Sequence, residues 1–148
     1  MANILVCDGE GETINTLQDA FTSAGHAVTV VNDIVDAVRI VYPGRFHVLF
    51  VGVDLQEATL AQRRFAGLGI VKESDPDLRI VVMGRGNSLE LERQLRMDGI
   101  FCYCLKPVDA AEAMQILRNA LRLSHQKNAA TTKILTEPLI HIEIDQRR

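Results

Sequence analysis

Short apolar runs rich in Val and Ile alternate along this chain with longer stretches whose apolar residues recur every three or four positions. The runs Ile4–Cys7, Ala27–Val31, Val48–Val53, Ile80–Met83 and Phe101–Leu105 read as strands buried on both faces, as in a parallel sheet. After the first of them, Ile14, Leu17, Phe21 and Ala24 share one helical face, and Gly25 can end that helix in the left-handed conformation. A second helical stretch carries Ile34, Val38 and Val41 and stops near Pro43-Gly44. A third, less regular, runs from about Ala58 to Val71. A fourth opens with Asn87 and Glu90 at capping-box spacing and continues through Leu91 and Leu95. A fifth opens with Asp109 and Glu112 at the same spacing and lays Ala113, Met114, Leu117 and Leu121 along one stripe.

Strand–helix alternation of this kind predicts an α/β fold: a doubly wound, five-stranded parallel sheet with helices on both faces, a flavodoxin-like three-layer sandwich. The site of such a fold lies beyond the carboxyl ends of its strands. Those ends are Cys7-Asp8-Gly9-Glu10, Gly52-Val53-Asp54, Met83-Gly84 and Lys106-Pro107. The pattern fills residues 1–123 and then changes. Residues 124–148 form an extension that opens with a polar, linker-like stretch. Within it, residues 138–145 alternate strictly, with Ile140, Ile142 and Ile144 on one side, which predicts an extra half-buried strand. Three isoleucines left in water would invite aggregation. The segment is therefore expected to pack on an edge of its own sheet or on a second copy, giving a homodimer.

Composition narrows the function. A length of 148 residues suits one domain with a full core. The net charge is −3, and no basic stripe is present, which argues against nucleic acid as partner. The longest apolar runs fall far short of the roughly 20 residues a membrane helix needs. No charged-then-apolar leader pattern precedes the first strand. Three cysteines make no disulfide framework, so a cytoplasmic location is expected. Cys102 and Cys104 fall on one strand face and read as core thiols, because no second cysteine pair or histidine cluster completes a metal site. His26, His47, His125 and His141 show no ligand spacing, and Gly9 and Gly11 do not make a phosphate-binding loop.

The strand ends carry a resemblance. Ile4-Leu-Val-Cys-Asp-Gly-Glu10 resembles the opening strand of two-component response-regulator receiver domains. His47-Val-Leu-Phe-Val-Gly-Val-Asp-Leu55 is similar to their third strand, and Ile80-Val-Val-Met83 to their fourth. Asp98-Gly-Ile-Phe-Cys-Tyr-Cys-Leu-Lys-Pro107 is similar to their fifth, with the Lys-Pro pair at its end. The match covers roughly residues 3–123, in order. In that family an acidic pair after the first strand holds Mg²⁺, and an aspartate ending the third strand accepts phosphate. A Ser or Thr ending the fourth strand and the Lys bind the phosphoryl group. This chemistry requires a carboxylate nucleophile, oxygen ligands for a hard cation and a cation to neutralise phosphate.

The resemblance implies that most of that set is missing here. Asp8 stands for the first acid, but Gly9 follows it; the acceptor position falls on Gly52 and the hydroxyl position on Met83. Asp8, Glu10, Lys106 and Pro107 are left as a degenerate phosphate site, in which Lys106 is expected to pair with Asp8 across a cis Lys106-Pro107 bond. Tyr103 occupies the aromatic switch position, on the face made by the fourth helix, fifth strand and fifth helix where such domains dock. The chain is thus expected to be a pseudo-receiver: a signalling module that binds protein partners, is not an enzyme, and needs no cofactor beyond weak Mg²⁺ at most. Two other readings stay open at this point. Asp54 could serve as acceptor if the third strand slid by two residues, or the crest could bind a small molecule as flavodoxin-like domains do.

Overall fold

A computed structural model describes residues 1–54, 58–85, 93 and 95–126. Five strands, β1 (Asn3–Cys7), β2 (Ala27–Val31), β3 (Val48–Val53), β4 (Arg79–Gly84) and β5 (Cys102–Leu105), form one sheet. Their spatial order is β2-β1-β3-β4-β5, and every pairing is parallel. The helices are α1 (Gly11–Ser23), α2 (Ile34–Ile40), α3 (Ala58–Ser74) and α4 (Ala110–Gln126). This is the doubly wound α/β sandwich that the alternation predicts. The order in which strands are added reverses between β1 and β3, so the sheet has its topological switch point there.

The period of two along each strand divides the core into two layers. Ile4, Val6, Val48, Phe50, Val81, Met83, Cys102 and Cys104 pack with Leu17 and Phe21 of α1 and with Ala113, Ile116 and Leu117 of α4. The Phe21 and Phe50 rings meet at 5.1 Å between centroids. On the other face Leu5, Cys7, Leu49, Val51, Ile80, Val82 and Tyr103 pack with Ile34 and Ala37 of α2 and with Ala61, Leu68 and Val71 of α3. Burial pushes the Cys7 thiol up to about 11, which keeps it protonated and inert. The central strand β3 is buried at every position, as a strand covered on both faces must be. No described helix is long and apolar enough to cross a membrane.

Element ends follow local chemistry. Gly25, after α1, has φ of +91°, as its place as a terminator predicts. The Asp109 carboxylate accepts the Glu112 N–H at 2.7 Å and opens α4. The third helix runs to Ser74, past the expected Val71. Asp75 holds its end: its N–H donates to Val71 O, and its carboxylate accepts the N–H groups of Asp77 and Gly44. The fourth predicted helix falls largely outside the described residues; Leu95–Met97 are helical, and Leu95 is buried on the α2/α3 side. The strand predicted over residues 138–145 also lies outside the described residues.

Candidate functional site

The crest of the sheet is built from the residue that follows β1. Asp8 is anchored through its backbone: its N–H donates to Val31 O at 3.1 Å, and its carbonyl accepts Asn32 Nδ2 at 3.0 Å. Its Oδ1 accepts the Glu10 N–H at 2.9 Å, so the carboxylate itself shapes the turn into α1. The residue is 2% exposed. Lys106 reaches it from the end of β5, where the Lys106 N–H donates to Gly84 O at 2.8 Å and the Lys106–Pro107 bond is cis. Lys106 Nζ lies 2.9 Å from Asp8 Oδ2 and 2.9 Å from Glu10 Oε1. It meets Oδ2 as an ion pair off the hydrogen-bond direction, so that oxygen receives no aligned donor. Glu10 extends the chain of charges. Its Oε2 accepts Arg85 Nη2 at 2.9 Å, and its Oε1 accepts Thr13 Oγ1 at 3.1 Å. The hydrogen bond from Lys106 holds the Glu10 carboxyl below its ordinary range.

The absence of a side chain at Gly52 has a direct counterpart. A Cβ built there would run into Asp8 Oδ2 and stand 2.6 Å from Asp8 Cγ. The Asp8 carboxylate therefore occupies the space an acceptor side chain would need. The sheet register fixes this: Cys7 lies opposite Val51, which sets Gly52 level with Asp8. Asp54 lies two residues further on, exposed, at the rim of a cavity of about 150 Å³ that Asp8, Glu10, Gly52, Arg64 and Lys106 also line.

Two sequence-based assignments need correction. Met83 is not the crest residue of β4: it is 0% exposed and packs on the α1/α4 side. The strand ends one residue later, at Gly84. A Cβ on Gly84 would lie 2.8 Å from Tyr103 Oη and 2.9 Å from Val53 O, so the place where a hydroxyl residue would stand is a second glycine. Nor is Tyr103 a surface residue. It is 5% exposed and packs in the α2/α3 cluster with its hydroxyl over Gly84, because a missing side chain there leaves room for the ring.

Arg64 was not singled out from the sequence. It is 6% exposed on α3; Nη1 donates to Gly52 O and Nη2 to Asn32 O at 3.0 Å. Among the described residues no carboxylate pairs with it. A signal existed: Ala61, Arg64, Leu68 and Val71 share one helical stripe, so the arginine faces inward and blunts the apolar pattern of α3.

Mg²⁺, which the receiver resemblance implies between the crest carboxylates, does not fit this donor set. The Lys106 ammonium already stands at 2.9 Å from both Asp8 and Glu10. Among the described residues no group of three or more His, Cys, Asp or Glu side chains could hold a metal ion.

No protein-family model matches the chain, and no curated protein does. Solved structures do. A CheY-like response regulator receiver domain protein from Methanospirillum hungatei aligns with a TM-score of 0.75 at 14% identity, over 86% of this chain and 98% of that one. NtrX from Brucella abortus aligns at 0.74 and 21% identity, over 88% of this chain and 29% of that one. The pilus assembly protein CpaE from Caulobacter crescentus aligns at 0.63 and 21% identity, over 78% of this chain and 90% of that one. Identities this low speak for architecture, and the architecture is that of CheY-like receiver domains.

Proposed function

We propose that this chain is a receiver-like signalling module that acts by contact with a protein partner and is not phosphorylated. The observation that carries this reading is the Asp8 carboxylate seated over Gly52 and paired with Lys106. A phosphoacceptor needs a carboxylate whose oxygen can attack phosphorus, a cation to draw charge from the phosphoryl group, and a donor to hold it. Here position 52 has no side chain and position 84 has no hydroxyl. The lysine that would meet phosphate is neutralised by Asp8 and Glu10 instead. Such a crest holds one arrangement without a chemical input, which suits a module read by shape. The match covers 29% of the NtrX chain, so there this fold is one part of a longer chain.

Incubation with acetyl phosphate and Mg²⁺, followed by intact mass measurement, tests the proposal. An unchanged mass is expected. A phosphate adduct mapped to Asp54, which lines the same cavity as Lys106, would overturn it and identify an active receiver with a displaced acceptor.

A further inference from the structure

β2 forms one edge of the sheet, and its sequence Ala27-Val-Thr-Val-Val31 has neither charge nor proline. Those are the usual devices that keep a sheet edge from pairing with another strand. Ala27 N–H donates to Ala2 O at 2.9 Å, and Val31 O accepts Asp8 N–H at 3.1 Å. The odd positions of β2 thus bond to β1, and by alternation the N–H and C=O groups of Val28 and Val30 point to the open side. Val28 and Val30 side chains pack against the α1/α4-side cluster, while Ala27 and Thr29 are exposed on the other face. The alternating segment at residues 138–145 has the same two-sided character: Ile140, Ile142 and Ile144 against His141, Glu143 and Asp145.

We propose that residues 138–145 of this chain add to the outer edge of β2 in cis, parallel to it, as a sixth strand. Handedness selects this edge. The β1–α1–β2 unit steps outward across the face that α1 covers. α4 packs on that same face, beside α1. A connection from β5 through α4 to a strand beyond β2 steps in the same direction over the same face. It has the same right-handed sense, the sense of about 98% of such crossovers. Adding the strand outside β5 would reverse the step under the same helix and give the left-handed form.

Reach agrees. α4 runs antiparallel to the strands, so Gln126 lies toward the end at which β2 begins. Its packing over β3 leaves roughly three strand spacings, about 14 Å, to a position beyond β2. Residues 127–137, when extended, span up to about 36 Å. The isoleucines would continue the apolar side of Val28 and Val30, and the charged side chains would join the exposed face of Ala27 and Thr29.

Amide hydrogen exchange by NMR on the full chain and on full-length I140N/I142N/I144N tests this. The Val28 and Val30 amides should exchange on the order of 100-fold more slowly in the unmodified chain than in the variant. The Thr29 and Val31 amides, bonded to β1, should stay protected in both, which shows that the variant folds. Val28 and Val30 exchanging equally fast in both proteins would overturn the proposal. So would protection that disappears on dilution to monomer, since the strand would then come from a second copy.

Discussion

Where the strands end, charge is buried against charge: Lys106 and Asp8 face each other at 2.9 Å with side chains 7% and 4% exposed. Where they begin, imidazole nitrogens do the corresponding work. His26 Nδ1 accepts the Ala2 N–H at 2.9 Å, and His47 Nδ1 accepts the Asn3 N–H at 3.0 Å. Both arrangements tie an element end to the sheet, but they fail differently. Removing one partner at the crest strands an ion in a medium that solvates it poorly. At the foot, the bond from Ala2 requires that His26 stay uncharged at Nδ1, because a protonated imidazole can no longer accept there. The crest is thus sensitive to mutation and the foot to proton concentration.

The comparison breaks most decisively at Lys106. Lys106→Met leaves the Asp8 carboxylate buried beside a methyl group and should lower stability by about 3–5 kcal/mol in urea unfolding. Combining it with Asp8→Asn should recover much of that loss, since the two changes share one interaction. A loss below about 1 kcal/mol for the single variant would show that the pair is worth no more than a surface ion pair.

Gly52→Ala should come next. Its Cβ displaces the Asp8 carboxylate and is expected to cost about 1–3 kcal/mol, as overpacking does. In an Asp8→Ala background the same change should be nearly neutral. Equal costs in both backgrounds would mean that Asp8 is not what fills the space over Gly52.

Gly84→Ser should cost about 1–2 kcal/mol: the Tyr103 ring can turn outward, but the Val53 carbonyl, 2.9 Å from the new Cβ, must shift as well. Tyr103 should then become accessible, seen as increased quenching of tyrosine fluorescence by acrylamide. Unchanged quenching would place the ring elsewhere than over Gly84.

The smallest effect belongs to the foot. Desolvation holds the His26 pKa below its ordinary 6.5. The unfolded chain therefore takes up a proton before the folded one does, and stability must rise with pH across that interval. The contribution is complete above about 6.5 and is lost as pH falls through the lower folded value. His26→Gln should flatten the stability profile over this range. Glu10, also depressed, adds a separate loss in more acid solution: its contribution is present above 4.5 and disappears as pH falls through its folded value. A profile with the acid loss but no change near 6.5 would show that His26 does not make the foot sensitive to pH.

Much of this molecule could be read before any coordinates. Strand positions, the parallel sheet, the Gly25 and Asp109 helix boundaries and the pairing of Lys106 with Asp8 all follow from periodicity, local side-chain chemistry and the receiver resemblance. Burial leaves a repeating trace of period two or 3.6 along a single segment, and a cap needs partners only a few residues away. The lack of a carboxylate at position 52 is equally local, being a matter of which atoms a residue has.

What fills a space is decided differently. Met83 and Gly84 differ by one step in sequence, and only the pairing of Val53 with Gly84 and the inward ring of Tyr103 show which one ends the strand at the crest. Arg64 becomes a crest residue through carbonyls of Gly52 and Asn32, which belong to other elements. The Asp8 carboxylate can lean over Gly52 only because β1 and β3 are neighbours in that register. A sequence states which side chains are missing. Close packing among segments far apart in the chain determines which neighbours move in, because a buried void or an unpaired buried charge costs more than a rotamer change.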